Sequence, residues 1–247
     1  MQCRICAAAP AETFTAREMM FGDRDPFEYF VCSACGCVQI VEIPSAAELA
    51  RHYRPDQYYS RGVAAGRVAA TWQWTMPLAR MLGISPVAAL RFYRPDLTDG
   101  DLVRLVVAAS KLYLQRDGVE GASVLDVGCG SGSFAYAVAK AGATRVLGID
   151  PFLGDTPELD EDGAWDLITF HHSFEHVGDP AETLESVARL LKPGGHCLLR
   201  MPDAGSSNFD HYKRDWALLD APRHLIIHTQ SSLRKIAESA GLTLDSV

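Results

Sequence analysis

The sequence predicts an α/β protein in which a mostly parallel sheet carries helices on both faces, preceded by a small metal-binding ribbon and a helical linker. Three observations predict it. From Ser123 onward, short apolar runs alternate with amphipathic stretches, the order that builds a parallel sheet with crossover helices. A glycine-rich turn, Gly128 to Gly132, joins the first of these runs to the first of these helices. Two Cys-x-x-Cys pairs, Cys3 with Cys6 and Cys32 with Cys35, stand at the head of the chain.

In chain order the cysteines come first. Five of the seven, Cys3, Cys6, Cys32, Cys35 and Cys37, fall in the first 37 residues. Each Cys-x-x-Cys knuckle can set two thiolates on one edge of a metal, and Gly36 permits the tight turn behind the second knuckle. Cys3, Cys6, Cys32 and Cys35 are therefore the expected ligands of a tetrahedral zinc ion, and Cys37 a spare thiol. A shell of four thiolates leaves no position for substrate, so the expected zinc is structural. Redox or disulfide roles are the alternative, the poorer one in a reducing compartment.

Residues 1–43 make this ribbon-like module, 44–120 the linker or cap, and 121–247 the α/β domain. In the linker a short helix starts at Ser45, and the loop from Tyr53 to Ser60 is rich in aromatics, of which Tyr58 and Tyr59 either cover a pocket or pack the ribbon. Helical character returns from Gly66 to Leu82. From Asp101 to Arg116 the apolar Leu102, Leu105, Val106, Ala109, Leu112 and Tyr113 recur at three and four, one face of a helix. The α/β domain reads as strands at Val124–Val127, Val146–Ile149, Leu167–Phe170, Cys197–Met201 and Leu242–Val247, with helices at Gly132–Ala141, Ala181–Leu191 and Ser231–Ala240. Lys192-Pro-Gly-Gly195 is the turn into the fourth strand.

Charge and hydropathy narrow the partners. The chain has 23 Lys and Arg against 31 Asp and Glu, a net charge of −8, and no basic cluster, which argues against nucleic acid and against an anionic membrane surface. No apolar run approaches the ~18 residues that span a bilayer, and the N-terminus lacks the apolar stretch of a signal peptide, so a cytoplasmic location is expected. A small-molecule partner fits this balance; the oligomeric state is not legible.

The glycine loop, Val124-Leu-Asp-Val-Gly-Cys-Gly-Ser-Gly-Ser133, opens a helix, so its backbone N–H groups are expected to face a ligand at the carboxyl edge of the sheet. Asp126 decides which ligand. A carboxylate at the strand end repels a pyrophosphate and attracts an ammonium, and Gly128-x-Gly130-x-x-Ser133 lacks the third glycine of the dinucleotide fingerprint. A nucleoside bearing an amino acid fits better than a nicotinamide dinucleotide. Asp150 ends the next strand and can accept both ribose hydroxyls. Capping for Asp126 and a turn role for Asp150 before Pro151 are the plainer readings.

Together with Gly148-Ile-Asp-Pro-Phe152, Trp165-Asp-Leu-Ile-Thr-Phe-His-His-Ser-Phe-Glu-His-Val-Gly-Asp-Pro180 and Leu191-Lys-Pro-Gly-Gly195, this loop resembles a class I S-adenosylmethionine-dependent methyltransferase over about residues 120 to 247. The fold is then Rossmann-like. Cysteine knuckles ahead of that domain are similar to a subgroup that includes sugar C-methyltransferases, which implies a sugar or nucleotide-sugar acceptor. The resemblance implies that Asp126 and Gly128, Cys129 and Gly130 hold the methionine end, Asp150 and Pro151 the ribose side, and His171 the flank of the sulfonium.

Methyl transfer to a hydroxyl or carbon needs an in-line approach and a base within hydrogen-bond reach. Histidine suits that role, and the candidates cluster as His171, His172 and His176, with Glu175 beside the last, and then as His224 and His228. In the sugar C-methyltransferases a histidine before the last helix removes the proton, which makes His224 the first choice. The segment Pro202 to Asp220, with Phe209, His211, Tyr212, Lys213, Arg214 and Trp216, could form a lid, and Arg214 and Arg223 could bind an acidic group on the acceptor. An O-methyltransferase of another metabolite and a non-catalytic nucleoside binder are the alternatives.

Length adds a last expectation. Residues 151–164 number 14, whereas a crossover helix, a strand and their loops take about 20 or more. The strand that usually contacts adenine is expected to be missing or shortened there, and at Val247 no residues remain for a final antiparallel strand; segments are expected to be omitted.

Overall fold

The computed structural model describes residues 1–53, 119–130, 132–150, 159 and 162–245. The expected helices at 66–82 and 101–116, Tyr58, Tyr59, Pro151 and the connection 151–158 lie outside the described residues. The chain forms two compact units. One comprises Met1–Arg54, His172–Ala188 and Arg200–Val247; the other comprises Pro55–His171 and Arg189–Leu199.

The second unit holds the parallel sheet. Its strands β4 (Ser123–Val127), β5 (Arg145–Ile149), β6 (Trp165–His171) and β7 (Leu191–Arg200) lie in the order β5-β4-β6-β7. β4 runs parallel to both neighbours, Asp126 opposite Gly148 on one side and Thr169 on the other. Val124, Leu125, Ile168 and Phe170 are buried, the near-continuous apolar pattern of strands covered on both faces. Helix α2 (Ser133–Lys140) lays Phe134 and Val138, one turn apart, on Val124 and Leu167. This is the Rossmann-like α/β arrangement expected. β7 starts earlier than expected: Lys192-Pro-Gly-Gly195 belongs to its first half, where Gly194 has φ 76°.

The first unit is built on a second sheet, β1 (Pro10–Arg17), β2 (Pro26–Cys32) and β3 (Val38–Ile40), an antiparallel meander. A two-residue strand from the far end of the chain, β8 (Ile226–Ile227), pairs with β3 and completes it. Sequence periodicity cannot register so short a partner. Helix α1 (Ala46–Arg51) begins where expected, with Ser45 and Glu48 closing a capping box. Helices α3 (Pro180–Leu190) and α5 (Gln230–Ser239) also match, the latter capped by Thr229.

Two expectations fail here. Pro202 to Asp220 is not a lid: it folds as helix α4 (Ser207–Tyr212) and two 3-10 turns, and Phe209 and Trp216 are buried edge to face at 5.7 Å in the core with Tyr29, Ile40 and Ile226. The expected strand at 242–247 does not form, residues Leu242–Asp245 being irregular.

Arg223 is fully buried at the centre of this unit. Its Nε donates to Asp220 Oδ2 at 2.9 Å, its Nη1 to the His52 carbonyl at 3.0 Å, and its Nη2 to Asp220 Oδ1 and, at 3.4 Å, Glu18 Oε1. Glu18 is equally buried; burial works against its charge, but the N–H groups of Phe21 and Asp23 and the guanidinium outweigh that and hold it below the usual carboxylate range. Removing one partner of such a set strands the other charge. Arg223→Met is therefore expected to lower unfolding stability by ~3–5 kcal/mol in urea titrations; a loss below ~1 kcal/mol would show the network to be dispensable.

Candidate functional site

The parallel strands bring the expected cofactor residues to one edge. Asp126 lies near the carboxyl end of β4, Asp150 directly after β5 and His171 at the end of β6. Between β4 and α2 the turn has φ 75° at Gly128, 49° at Gly130 and 75° at Gly132, a left-handed path that side-chain-bearing residues resist. Cys129 sits over Gly148, where a Cβ would come within 2.9 Å of its Cβ and Sγ, so the small pair fits by mutual necessity.

One expectation about this turn is corrected. The N–H groups of Gly128 and Cys129 donate to the Ile149 carbonyl at 2.8 and 3.1 Å, and that of Gly130 to Asp150 Oδ2 at 3.0 Å. They tie the turn to β5 instead of facing a ligand. Asp150 thus fixes the glycine turn as well as ending its strand.

Asp126 is 1% exposed and accepts a hydrogen bond from Thr169 Oγ1 at 2.9 Å. Burial pushes its carboxyl up to about 7; the Thr169 hydroxyl opposes this and the negative Asp150 adds to it. A buried acid raised this far is one that a ligand's positive charge would ionise. His171 lies against Phe134, ring centroids 4.0 Å apart. Thr169 and Phe134 were not singled out from the sequence; Thr169, a hydroxyl among the apolar residues of β6, was the available signal.

In the first unit, the expected catalytic residues come together. Glu175 and His176 lie in a 3-10 turn, Phe174–His176, and His224 precedes β8. One potential ligand atom from each lies within 4.8 Å of the others. His224 Nε2 is 3.7 Å from Glu175 Oε1 and 3.8 Å from Asp220 Oδ2. A carbonyl only accepts, so Nδ1 carries the proton in both imidazoles: His176 donates to the Arg223 carbonyl at 2.7 Å, His224 to that of Leu218 at 2.8 Å. The Tyr53 hydroxyl lies 3.0 Å from His176 Nδ1, a contact that the sequence did not signal.

Glu175 is fully buried. Burial works against its charge, but the imidazoles of His172, His224 and His176 outweigh it and hold the carboxyl below the usual range. His172 stands beside it in a left-handed conformation, φ 52°, with Nδ1 3.6 Å from Glu175 Oε1. Burial, helped by His176 and opposed by Glu175 and Asp220, lowers His224 to about 4, so it is neutral near pH 7. Of the proposed acceptor-binding arginines, Arg223 is not free for that work, being buried in its ion network, while Arg214 lies at the surface 3.8 Å from Asp215.

The cysteines gather as expected, with one change of membership. Cys3, Cys32, Cys35 and Cys37 have sulfurs mutually within 4.8 Å, while Cys6 Sγ lies 3.5 Å from that of Cys32. Cys37, taken as spare, thus stands inside the tightest group. Sulfur separations of 3.7, 3.7 and 3.2 Å compare with the ~3.8 Å edge of a tetrahedron with ~2.3 Å zinc–sulfur bonds. Donors converge on these sulfurs: Ala34 and Cys35 N–H on Cys32, and Gln39 Nε2 on Cys3 and Cys37 at 3.0 and 2.9 Å. Against burial, those N–H groups bring Cys32 down to about 6. The donor set fits zinc. Among the described residues no helix is long and apolar enough to cross a membrane.

Known proteins resemble part of the chain. It is 37% identical over 105 residues to the ubiquinone biosynthesis O-methyltransferase of Vibrio parahaemolyticus, covering 33% of this chain and 44% of that protein. To the ubiquinone biosynthesis O-methyltransferase of Proteus mirabilis it is 31% identical over 132 residues, 43% of this chain and 51% of that one. The chain thus spans about half the length of these curated relatives. Among solved structures, an S-adenosylmethionine-dependent methyltransferase from Mesorhizobium loti gives a TM-score of 0.44 at 20% identity, over 60% of this chain and 84% of that one. A family model described as a methyltransferase domain matches residues 101–247, more than half of the chain, and the protein therefore belongs to the S-adenosylmethionine-dependent methyltransferase family.

Proposed function

We propose that the protein transfers a methyl group from S-adenosylmethionine to a hydroxyl oxygen of a small molecule. The observation that carries this reading is Asp126, a buried carboxylate raised to about 7 near the carboxyl end of β4, within the residues that the methyltransferase model matches. The donor's methionine ammonium supplies the positive charge that ionises it. Gly128, Cys129 and Gly130 line the methionine end, Asp150 and Pro151 the ribose, and His171, braced on Phe134, the sulfonium. Relatives named for ubiquinone O-methylation support an oxygen acceptor. The sugar acceptor that the cysteine module suggested finds no support in their names.

In-line transfer requires the acceptor oxygen to lose its proton, and we assign that task to Glu175, His176 and His224. In the metal-free protein His224 Nε2 is the base; its other nitrogen is fixed on the Leu218 carbonyl, and Glu175 stabilises the imidazolium. Asp126→Asn is expected to weaken S-adenosylmethionine binding about 10- to 100-fold in calorimetric titration. His224→Gln should keep donor affinity and lose about 100-fold or more in methyl transfer to hydroxylated acceptors. Donor binding untouched by Asp126→Asn contradicts the cofactor assignment, and unchanged turnover in His224→Gln contradicts the base. Binding without turnover on any acceptor favours a nucleoside-binding protein.

The cysteine cluster is assigned to one structural zinc ion, held by four of the five thiols. When bound, zinc adds its ligand bonds to the stability of the ribbon. Metal analysis of purified protein should find about one zinc per chain. No zinc, with all five thiols freely titratable, rejects the assignment.

A further inference from the structure

We propose that Glu175, His176 and His224 form a second metal site, one that takes a divalent cation of borderline character such as zinc, cobalt or ferrous iron. The proposal rests on the reading of these residues as the acceptor-side group and names the ligand that group is built to hold. Three independent features of the geometry point to it.

One potential ligand atom from each side chain lies within 4.8 Å of the other two, with Glu175 and His224 buried. Both imidazoles are fixed in the tautomer a metal requires. Their Nδ1–H groups donate to main-chain carbonyls, of Arg223 and of Leu218, which leaves each Nε2 lone pair as the basic site. A backbone carbonyl behind the far nitrogen is the usual support of a metal-bound histidine, setting both tautomer and ring orientation. The carboxylate between them is left in need of a cation: Glu175 is 0% exposed and neither of its oxygens accepts a hydrogen bond. His172 Nδ1 and His224 Nε2 stand at 3.6 and 3.7 Å from Oε1, beyond hydrogen-bond reach. Leaving a buried carboxylate without donors is costly, and a coordinated cation removes that cost.

Two imidazoles and one carboxylate suit zinc, cobalt, manganese or ferrous iron, whereas the all-thiolate cluster at the other site suits zinc. Three protein ligands also leave coordination positions open, in contrast to the closed shell of four sulfurs. A water molecule or the acceptor's hydroxyl oxygen can take such a position. A bound cation occupies the His224 lone pair that the metal-free protein uses as a base, so turnover of a His224 variant alone does not separate the two roles. Metal binding does.

The test titrates the full chain, its cysteines already loaded with zinc, with cobalt(II), read by visible absorption and by calorimetry. One further equivalent is expected, with the weak absorption of a nitrogen–oxygen site and none of the intense sulfur bands. Glu175→Gln and His176→Gln, each made separately so that one folded variant suffices, should weaken it tenfold or more. Tyr53→Phe, which touches His176 but offers no ligand, should retain it. No cobalt beyond the thiolate site, or equal affinity in both ligand variants, overturns the proposal. S-adenosylmethionine is titrated into the same samples: failure of the donor to bind counts against the methyltransferase reading alone, and failure of cobalt against the second site alone.

Discussion

The guanidinium of Arg223 is the constraint on which the first unit depends. It gathers Glu18 from the end of the first hairpin strand, the main chain at His52 behind α1, and Asp220 from the 3-10 segment, all at one buried point. Its own carbonyl then orients His176, and the next residue in the chain is His224. The same residue that satisfies the buried Glu18 and the partly buried Asp220 therefore sets the stage for both histidines. A charged hub of this kind is a poor source of net stability compared with apolar packing, but it leaves little choice of arrangement, because every alternative strands a charge.

Two buried carboxylates stand at the two candidate sites, and they differ in what surrounds them. Asp126, in the parallel sheet, has a hydroxyl and another acid for neighbours, so burial raises it towards neutrality. Glu175, in the other unit, is ringed by imidazoles and stays below the usual carboxylate range. An acid poised near neutral pH is suited to gain a cationic ligand reversibly. A fully buried acid held below the usual range, with histidine side chains around it, is suited to a group that remains in place. The first description suits the proposed methyl donor and the second the proposed cation.

The parallel sheet was legible because its strands are covered on both faces and read as continuous apolar runs, and because glycines at Gly128 and Gly130 are demanded by positive φ. Helix starts were legible where a side chain caps them, as at Ser45. What escaped was non-local. Ile226 and Ile227 look like any short apolar run until β3 is seen to need an edge. Arg223 resembles a surface or substrate-binding arginine because its partner Glu18 lies 205 residues away. Phe209 and Trp216, read as lid residues from their polar neighbours, are core because their own rings pack inward. Cys37 seemed spare because spacing alone favours the Cys-x-x-Cys pairs, whereas its sulfur stands 3.2 Å from that of Cys35.

The central claim is that Asp126 waits, largely protonated below neutral pH, for the positive charge of the donor. Its carboxyl is raised in the free protein, so donor binding must favour the ionised form, release a proton and strengthen as pH rises towards and through about 7. The direct measurement is calorimetry of S-adenosylmethionine binding at pH 6 in two buffers of different ionisation enthalpy. The account predicts a buffer-dependent heat corresponding to release of up to about one proton, lost in Asp126→Asn. Binding with no proton release at that pH, or no binding, would contradict it.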